Sequence, residues 1–475
     1  MTMNKHGRKQ TVLMFPWLGH GHISPFLELA KKLTNTNLFE IYLCSTPVNL
    51  SSIKPSPAIQ LIELHLPPLM NLPPHLHTTN GLPPHLMPVL KKAFDMASPQ
   101  FSEILKTLKP DLLIYDLIQP WAPAAASALG IPSVLFITTS TTMAATMFHL
   151  YHYSSTGVPF PFSKIYFRSN ELTHVSEILE SSANNRKDKD RVMECINRSS
   201  SIVLVKSFKE IEGKYSDYLS ILTGKTIVPV GDLVADISPV KDQKENTVID
   251  WLDRKAAGST IFVSFGSEYF LSDDDLEEIA YGLELSNVNF IWVLRFPKME
   301  RKLSLLEALP LGFLERVKDR GFVIQGWAPQ ARILRHKNIG GFVSHCGWSS
   351  TMEAMKFGVP IIAMPMHLDQ PVNARLVEEV GFGVEVVRDD NGRLRREKMA
   401  AVVRHVVVSK LGKVVREKAK KIRADLRVKG EDEIDAAVVE LLNVCRRSRC
   451  VGRKIEKTKS DSFAIGSYCL VNGEV

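Results

Sequence analysis

The sequence predicts an α/β protein made of two Rossmann-like halves, each built on a parallel sheet, facing one another across a cleft. Three observations predict it. Apolar strand-like runs alternate with helix-period segments through most of the chain, the signature of parallel βαβ units. At 475 residues the chain exceeds what one core ordinarily serves and divides into two units of similar size. Around residues 231–246, "GDLVADISPVKDQKEN", hydrophobic periodicity fades and charge rises, which reads as an interdomain linker.

Taken in order, the first half offers strands at 11–15, 41–44, 61–64, 112–115, 134–137, 202–205 and 227–230. Between the third and fourth lies "LPPLMNLPPHLHTTNGLPPHLMP", a loop long enough to be functional rather than a plain connection. The second half offers strands at 261–265, 290–293, 322–324, 341–343, 361–363 and 383–386. Segment 431–445 reads as a last amphipathic helix, and 446–475, with poor periodicity and mixed polarity, as a loosely ordered tail. The domains are therefore expected at 1–235 and 236–430, each binding ligand beyond the carboxyl ends of its strands.

Composition excludes several classes of function. With 45% hydrophobic and 23% charged residues the chain has the make-up of a soluble globular protein. The start, "MTMNKHGRKQ", lacks the apolar stretch of a signal peptide, and no run of about 18 apolar residues suggests a spanning helix. Cysteines 44, 195, 346, 445, 450 and 469 have neither disulfide nor metal spacing, so a reducing, cytoplasmic setting is expected. The net charge is +8, but residues 446–475 hold seven Lys or Arg against three Asp or Glu, which is half of that excess. No basic stripe interleaved with aromatics remains in the body, which argues against a nucleic-acid partner.

Residues 14–29, "MFPWLGHGHISPFLEL", place Gly19, Gly21 and Ser24 close to a dinucleotide-binding turn. That fingerprint needs a carboxylate at the end of the next strand, where this chain has Cys44, Ser45 and Thr46. A nicotinamide cofactor is therefore not expected, and the two histidines in the turn need another explanation.

The most specific signal is the 44-residue stretch "WAPQARILRHKNIGGFVSHCGWSSTMEAMKFGVPIIAMPMHLDQ" from Trp327 to Gln370. It resembles, nearly end to end, the nucleotide-sugar signature box of plant small-molecule UDP-glycosyltransferases. "VSFGSEYFLS" at 263–272 and "YDLIQPWAP" at 115–123 are similar to the same family, and the resemblance runs over roughly residues 10–445. It implies the two-domain GT-B architecture, with an acceptor domain at 1–235 and a UDP-sugar domain at 236–430.

Carried onto this sequence, the resemblance assigns the donor site. Trp327 stacks on uracil and the backbone of Ala328 reads the base edge. Gln330 and Glu353 hold the ribose, a carboxylate being a good clamp for vicinal hydroxyls. His345, Gly347, Trp348 and Ser350 lie at a helix start suited to the diphosphate, and Ser267 adds a phosphate contact. Asp369 and Gln370 hold the sugar hydroxyls, and glutamine at the end of the box is associated with UDP-glucose, histidine with galactose. One position departs from the box: Ser349 stands where most members have Asn, so its hydroxyl is expected to reach the donor only through water.

The resemblance also accounts for one of the two opening histidines. "HISPFLELAK" aligns His22 with the family's catalytic base, and Asp116, after the strand "LLIYD", with the aspartate that orients it. His20, two residues away, either lines the acceptor pocket, where Gln119, Trp121, Thr139 and Ser140 are also expected, or faces solvent. His65, His75, His77 and His85 have no metal-like spacing, and enzymes of this kind need no divalent ion. UDP-sugar is a co-substrate, so no metal or resident cofactor is implied.

The expected activity is inverting transfer of a sugar, glucose from UDP-glucose, onto a hydroxyl of a plant small molecule. Similarity at 73–88, 115–123 and 345–350 to the sugar-extending branch points to an acceptor that is already a glycoside. Direct glucosylation of an aglycone is the alternative. A binding protein that kept the fold and lost the chemistry would lack His22 or Asp116, and both are present.

Overall fold

All thirteen expected strands form, in two sheets that are parallel throughout. The structure, a computed structural model, describes residues 8–54, 56–153, 155–235, 243–266, 269–296 and 304–468. The first sheet contains β1 (Gln10–Phe15), β2 (Phe39–Ser45), β3 (Ile59–Glu63), β4 (Leu112–Tyr115), β5 (Ser133–Ile137), β6 (Ile202–Val205) and β7 (Thr226–Pro229), in the order β3-β2-β1-β4-β5-β6-β7. The second contains β8 (Thr260–Ser264), β9 (Asn289–Leu294), β10 (Gly321–Gln325), β11 (Ile339–Ser344), β12 (Ile361–Ala363) and β13 (Gly383–Glu385), in the order β10-β9-β8-β11-β12-β13.

Strands β1, β4, β5 and β6 are buried at every residue, which explains their predominantly apolar sequences: helices cover both faces of a parallel sheet. The strand order reverses between β1 and β4, and again between β8 and β11. At both points the strands end level, Phe15 opposite Tyr115 and Ser264 opposite Ser344. A crevice opens beyond such a reversal, and ligands bind there in open α/β sheets.

Helix α1 (His20–Asn35) follows β1 and buries Ile23, Phe26, Leu29, Ala30 and Leu33. That three-or-four spacing places one apolar stripe against the sheet, with Phe26 packed on Phe136 of β5. Helix α2 (Trp348–Phe357) follows β11, and α3 (Gln370–Val380) follows β12.

Three expectations differ from the structure. The last helix, α4, runs without interruption over Lys413–Tyr468, so the segment expected at 431–445 is its middle. The tail at 446–475, read as loosely ordered, is helical as far as Tyr468; its Lys, Arg and Glu are good helix formers, and it contains no proline. In the linker, residues 236–242 lie outside the described residues, while 243–246 already belong to the helix Gln243–Asp253. The sequence reading also passed over a two-residue antiparallel pair, Ser182–Ala183 with Arg186–Lys187. Asn184 and Asn185 turn it with φ of 52° and 58°, conformations that asparagine tolerates.

α4 joins the two halves. Ala419, Ile422 and Leu426 are buried in the core cluster that contains Met352 and Met355 of α2. Ile434, Ala437, Val438, Leu441 and Val444 are buried against the first sheet. Among the described residues no helix is long and apolar enough to cross a membrane.

Candidate active site

Two residues beyond the carboxyl ends of the first sheet meet at its order reversal. His22, in the first turn of α1, places Nδ1 2.8 Å from Asp116 Oδ2, immediately after β4. Asp116 is fully buried, and its carboxylate is fixed by the Trp17 N–H to Oδ2 at 3.1 Å and the Leu117 N–H to Oδ1 at 2.7 Å. A carboxylate only accepts, so Nδ1 carries the hydrogen and the imidazole lone pair lies on Nε2. Thr138 Oγ1, just beyond β5, lies 3.1 Å from the same Nδ1 and gives the ring a second support.

The corresponding reversal in the second sheet holds the donor candidates. His345 follows β11, and burial pushes its imidazole down to about 4, which keeps it neutral. The residue is half-buried, with Nδ1 sealed from solvent near the Ser264 backbone. The ring occupies the space where side chains at Gly266 and Gly347 would stand: a Cβ would come within 2.7 Å and 2.5 Å of Nε2. Cys346 adopts a left-handed φ of 64°, uncommon for a residue with a side chain, and so aims the chain into α2 with Gly347 as N-cap. The backbone N–H groups of Trp348, Ser349 and Ser350 open that helix and face an anion-ready terminus. Ser267, expected as a phosphate contact, lies outside the described residues.

Trp327 is 66% exposed, so its indole presents an open face, while Ala328 beside it is buried. Gln330 Nε2 donates to Ser350 Oγ at 3.0 Å and to Glu353 Oε2 at 2.9 Å, gathering three of the donor candidates. Burial raises the Glu353 carboxyl above its ordinary value. Asp369 is the N-cap of α3, and Gln370 begins it.

The acceptor candidates separate into different environments. His20 is exposed at the start of α1. Thr139 Oγ1 donates to Asp369 Oδ2 at 2.6 Å, and Ser140 Oγ to Asn373 Oδ1 at 2.6 Å, so both face the second domain. Gln119 is fully buried and donates Nε2 to the Phe15 carbonyl at 2.7 Å. Trp121 does not stand as an open platform: it packs edge-on against Phe15, Phe94 and Phe101, and its Nε1 donates to Asp95. Its helix begins inside an aromatic cluster, which claims the ring for the core.

Sequence reasoning missed Thr138, Asn373 and Lys206. Lys206 had a visible signal. "IVLVK" repeats the pattern of "LLIYD", a charged residue straight after a fully buried strand. It also missed a buried charge network across the two halves, because neither periodicity nor motif links residues 168 and 171 to 375 and 385. Arg168 pairs with Glu385 at 2.7 Å and Glu171 at 3.1 Å, and Arg375 with Glu171 at 2.8 Å.

Residues 96–439 match the family described as UDP-glucoronosyl and UDP-glucosyl transferase. The chain is 53% identical over 450 residues to UDP-glucosyltransferase 29 of Panax ginseng, covering 94% of this chain and 99% of that protein. It is 51% identical over 439 residues to the beta-D-glucosyl crocetin beta-1,6-glucosyltransferase of Gardenia jasminoides, covering 90% and 97%. The crystal structure of UGT73P12 of Glycyrrhiza uralensis, complexed with glycyrrhetinic acid 3-O-monoglucuronide, superposes with a TM-score of 0.81. It is 22% identical and is covered completely by 97% of this chain, so it bears on the fold.

Proposed function

This chain belongs to the UDP-glucoronosyl and UDP-glucosyl transferase family, and from that premise we propose that it transfers glucose from UDP-glucose to a sugar hydroxyl of a plant glycoside, with inversion. The observation that carries the mechanism is the His22–Asp116 pair. With Nδ1 held by a buried carboxylate, His22 offers Nε2 to the acceptor hydroxyl. As the acceptor oxygen bonds to the anomeric carbon, its proton passes to Nε2 and Asp116 stabilises the resulting imidazolium. The bond from the anomeric carbon to the β-phosphate oxygen breaks, and its electron pair leaves with UDP at the start of α2. Attack from the opposite face converts an α-linked donor into a β-linked product.

On this reading Trp327 and Ala328 take the base, and Gln330 and Glu353 the ribose. His345, Gly347 and Ser350 take the diphosphate, while Asp369 and Gln370 hold the sugar. The glycoside acceptor is supported by the similarity at 73–88, 115–123 and 345–350 and by relatives such as the crocetin glucoside enzyme.

Initial rates on matched pairs of aglycone and monoglucoside, analysed by mass spectrometry, test the acceptor. Preference for the aglycone across flavonoid, lignan and triterpenoid pairs would return the enzyme to direct aglycone glucosylation. For the mechanism, His22→Ala should abolish transfer with UDP affinity kept within a few-fold, and Asp116→Ala should lose roughly 10²-fold or more. A fully active His22→Ala variant would disprove the base.

A further inference from the structure

The most unusual charge in the described structure is Lys206. It follows β6 in the acceptor half, is 2% exposed, and donates Nζ to Ser349 Oγ at 2.9 Å. Its carbonyl accepts the Trp348 Nε1–H at 2.6 Å, so the first two residues of α2 grip it at both ends. The other buried lysine, Lys91, is ion-paired with Asp188. Among the described residues no carboxylate lies within ion-pairing distance of Lys206. The charged groups that face it are Glu353 and Lys356 of α2, Asp232 after β7 and Glu28 of α1, all acting from farther away.

Two effects oppose an ammonium in this position. Burial strips its hydration, and the N-terminus of a ten-residue helix carries partial positive charge. Burial lowers its pKa to about 8, yet near neutral pH it remains charged. A buried cation at the positive end of a helix becomes favourable when an anion joins it there. Resting on the donor reading above, we propose that Lys206 is a cation of the donor diphosphate site, supplied by the acceptor half and held in place by Ser349.

One Nζ hydrogen is spent on Ser349 and two remain for phosphate oxygens. This gives the departure at position 349 a role: the serine hydroxyl orients a lysine. It also ties leaving-group stabilisation to the approach of the two halves. Negative charge grows on the β-phosphate oxygen as the anomeric bond breaks, and the nearby ammonium stabilises it through the field.

The test is titration calorimetry of UDP and uridine with the full-length wild type, Lys206→Met and Lys206→Arg. A charge-assisted phosphate contact predicts that Lys206→Met weakens UDP at least tenfold and leaves uridine within twofold, while Lys206→Arg keeps UDP within a few-fold. Wild-type UDP affinity should fall between pH 7 and 8.5, where the uracil ring stays neutral, and uridine affinity should hold over the same range. This second measurement stands even if Lys206→Met fails to fold. Equal binding of UDP by wild type and Lys206→Met, or a parallel loss of UDP and uridine, would overturn the assignment while the donor reading survives. Failure of the wild type to bind UDP would overturn both.

Discussion

Thr139 Oγ1 and Asp369 Oδ2, from opposite halves of the molecule, share a 2.6 Å hydrogen bond. It belongs to a small ring: Asn373 donates to the same Oδ2 at 2.9 Å and accepts from Ser140 at 2.6 Å. Asn373 also donates to the carbonyl of Cys346, so the end of β5 reaches the left-handed turn before α2 through one fully buried amide. Thr139→Val removes one peripheral bond and should lower kcat/KM about tenfold, mainly through the donor KM. Asn373→Ala removes the acceptor of the Ser140 hydroxyl proton and the donor to the Cys346 carbonyl, while Ser140 Oγ still accepts the Met143 N–H, and should cost about 1–3 kcal/mol for each lost partner. Donor kinetics and urea unfolding check the pair; equal stabilities for the two variants would refute the central place of Asn373.

The charge network at Arg168, Glu171, Arg375 and Glu385 predicts a graded response. Arg375 is 2% exposed, stacks over Tyr166 and donates to the Pro371 carbonyl as well as Glu171. Arg375→Ala would leave two carboxylates with only Arg168 between them. Breaking such a buried pair costs about 3–5 kcal/mol. The partly exposed Arg168 should cost less when replaced by alanine, because Arg375 still pairs with Glu171 at 2.8 Å and with Glu385 at 3.7 Å. Urea denaturation of both variants decides the ranking.

Both sheets were legible in the sequence because a covered parallel strand is an apolar run flanked by turn residues, and every such run here became a strand. The His22–Asp116 pairing was legible through motif resemblance, since 94 positions separate the two residues in the chain. The interface was not legible. Thr139–Asp369, Lys206–Ser349 and Arg375–Glu171 depend on how the halves dock, and docking leaves no periodic trace. Trp121 shows another limit of sequence reading: its half-buried ring packs edge-on against Phe15, Phe94 and Phe101, neighbours that spacing along the chain does not reveal.

His345 predicts an acid limb of stability. Its folded pKa, about 4, lies below the ordinary histidine value of 6.5. Between those two values the unfolded chain binds a proton that the native protein excludes, so this contribution to stability falls as pH drops from 6.5 towards 4. Above 6.5 the penalty is absent. In a His345→Asn variant the difference in unfolding midpoint between pH 7 and pH 5 should shrink, whatever the variant's stability at pH 7. An unchanged slope would assign the acid limb to other groups.

Gln370 predicts donor choice through the atom it has left to offer. It is 5% exposed, and its Oε1 accepts the backbone N–H groups of Met366 at 3.0 Å and His367 at 3.1 Å. That oxygen is committed to shaping the loop before α3, so on the proposed donor reading the side chain would meet the sugar as a donor through Nε2. Gln370→Glu keeps an acceptor for both backbone groups but loses the amide donor. It should therefore cut kcat/KM for UDP-glucose at least tenfold with little loss of stability. Gln370→His changes both reach and direction and should narrow the preference for UDP-glucose over UDP-galactose. Competition kinetics with the two donors on one glycoside acceptor measure this directly. A wild-type kcat/KM for galactose equal to or above that for glucose would overturn the donor assignment, and a Gln370→Glu variant with full glucose transfer would show that Nε2 does not contact the sugar.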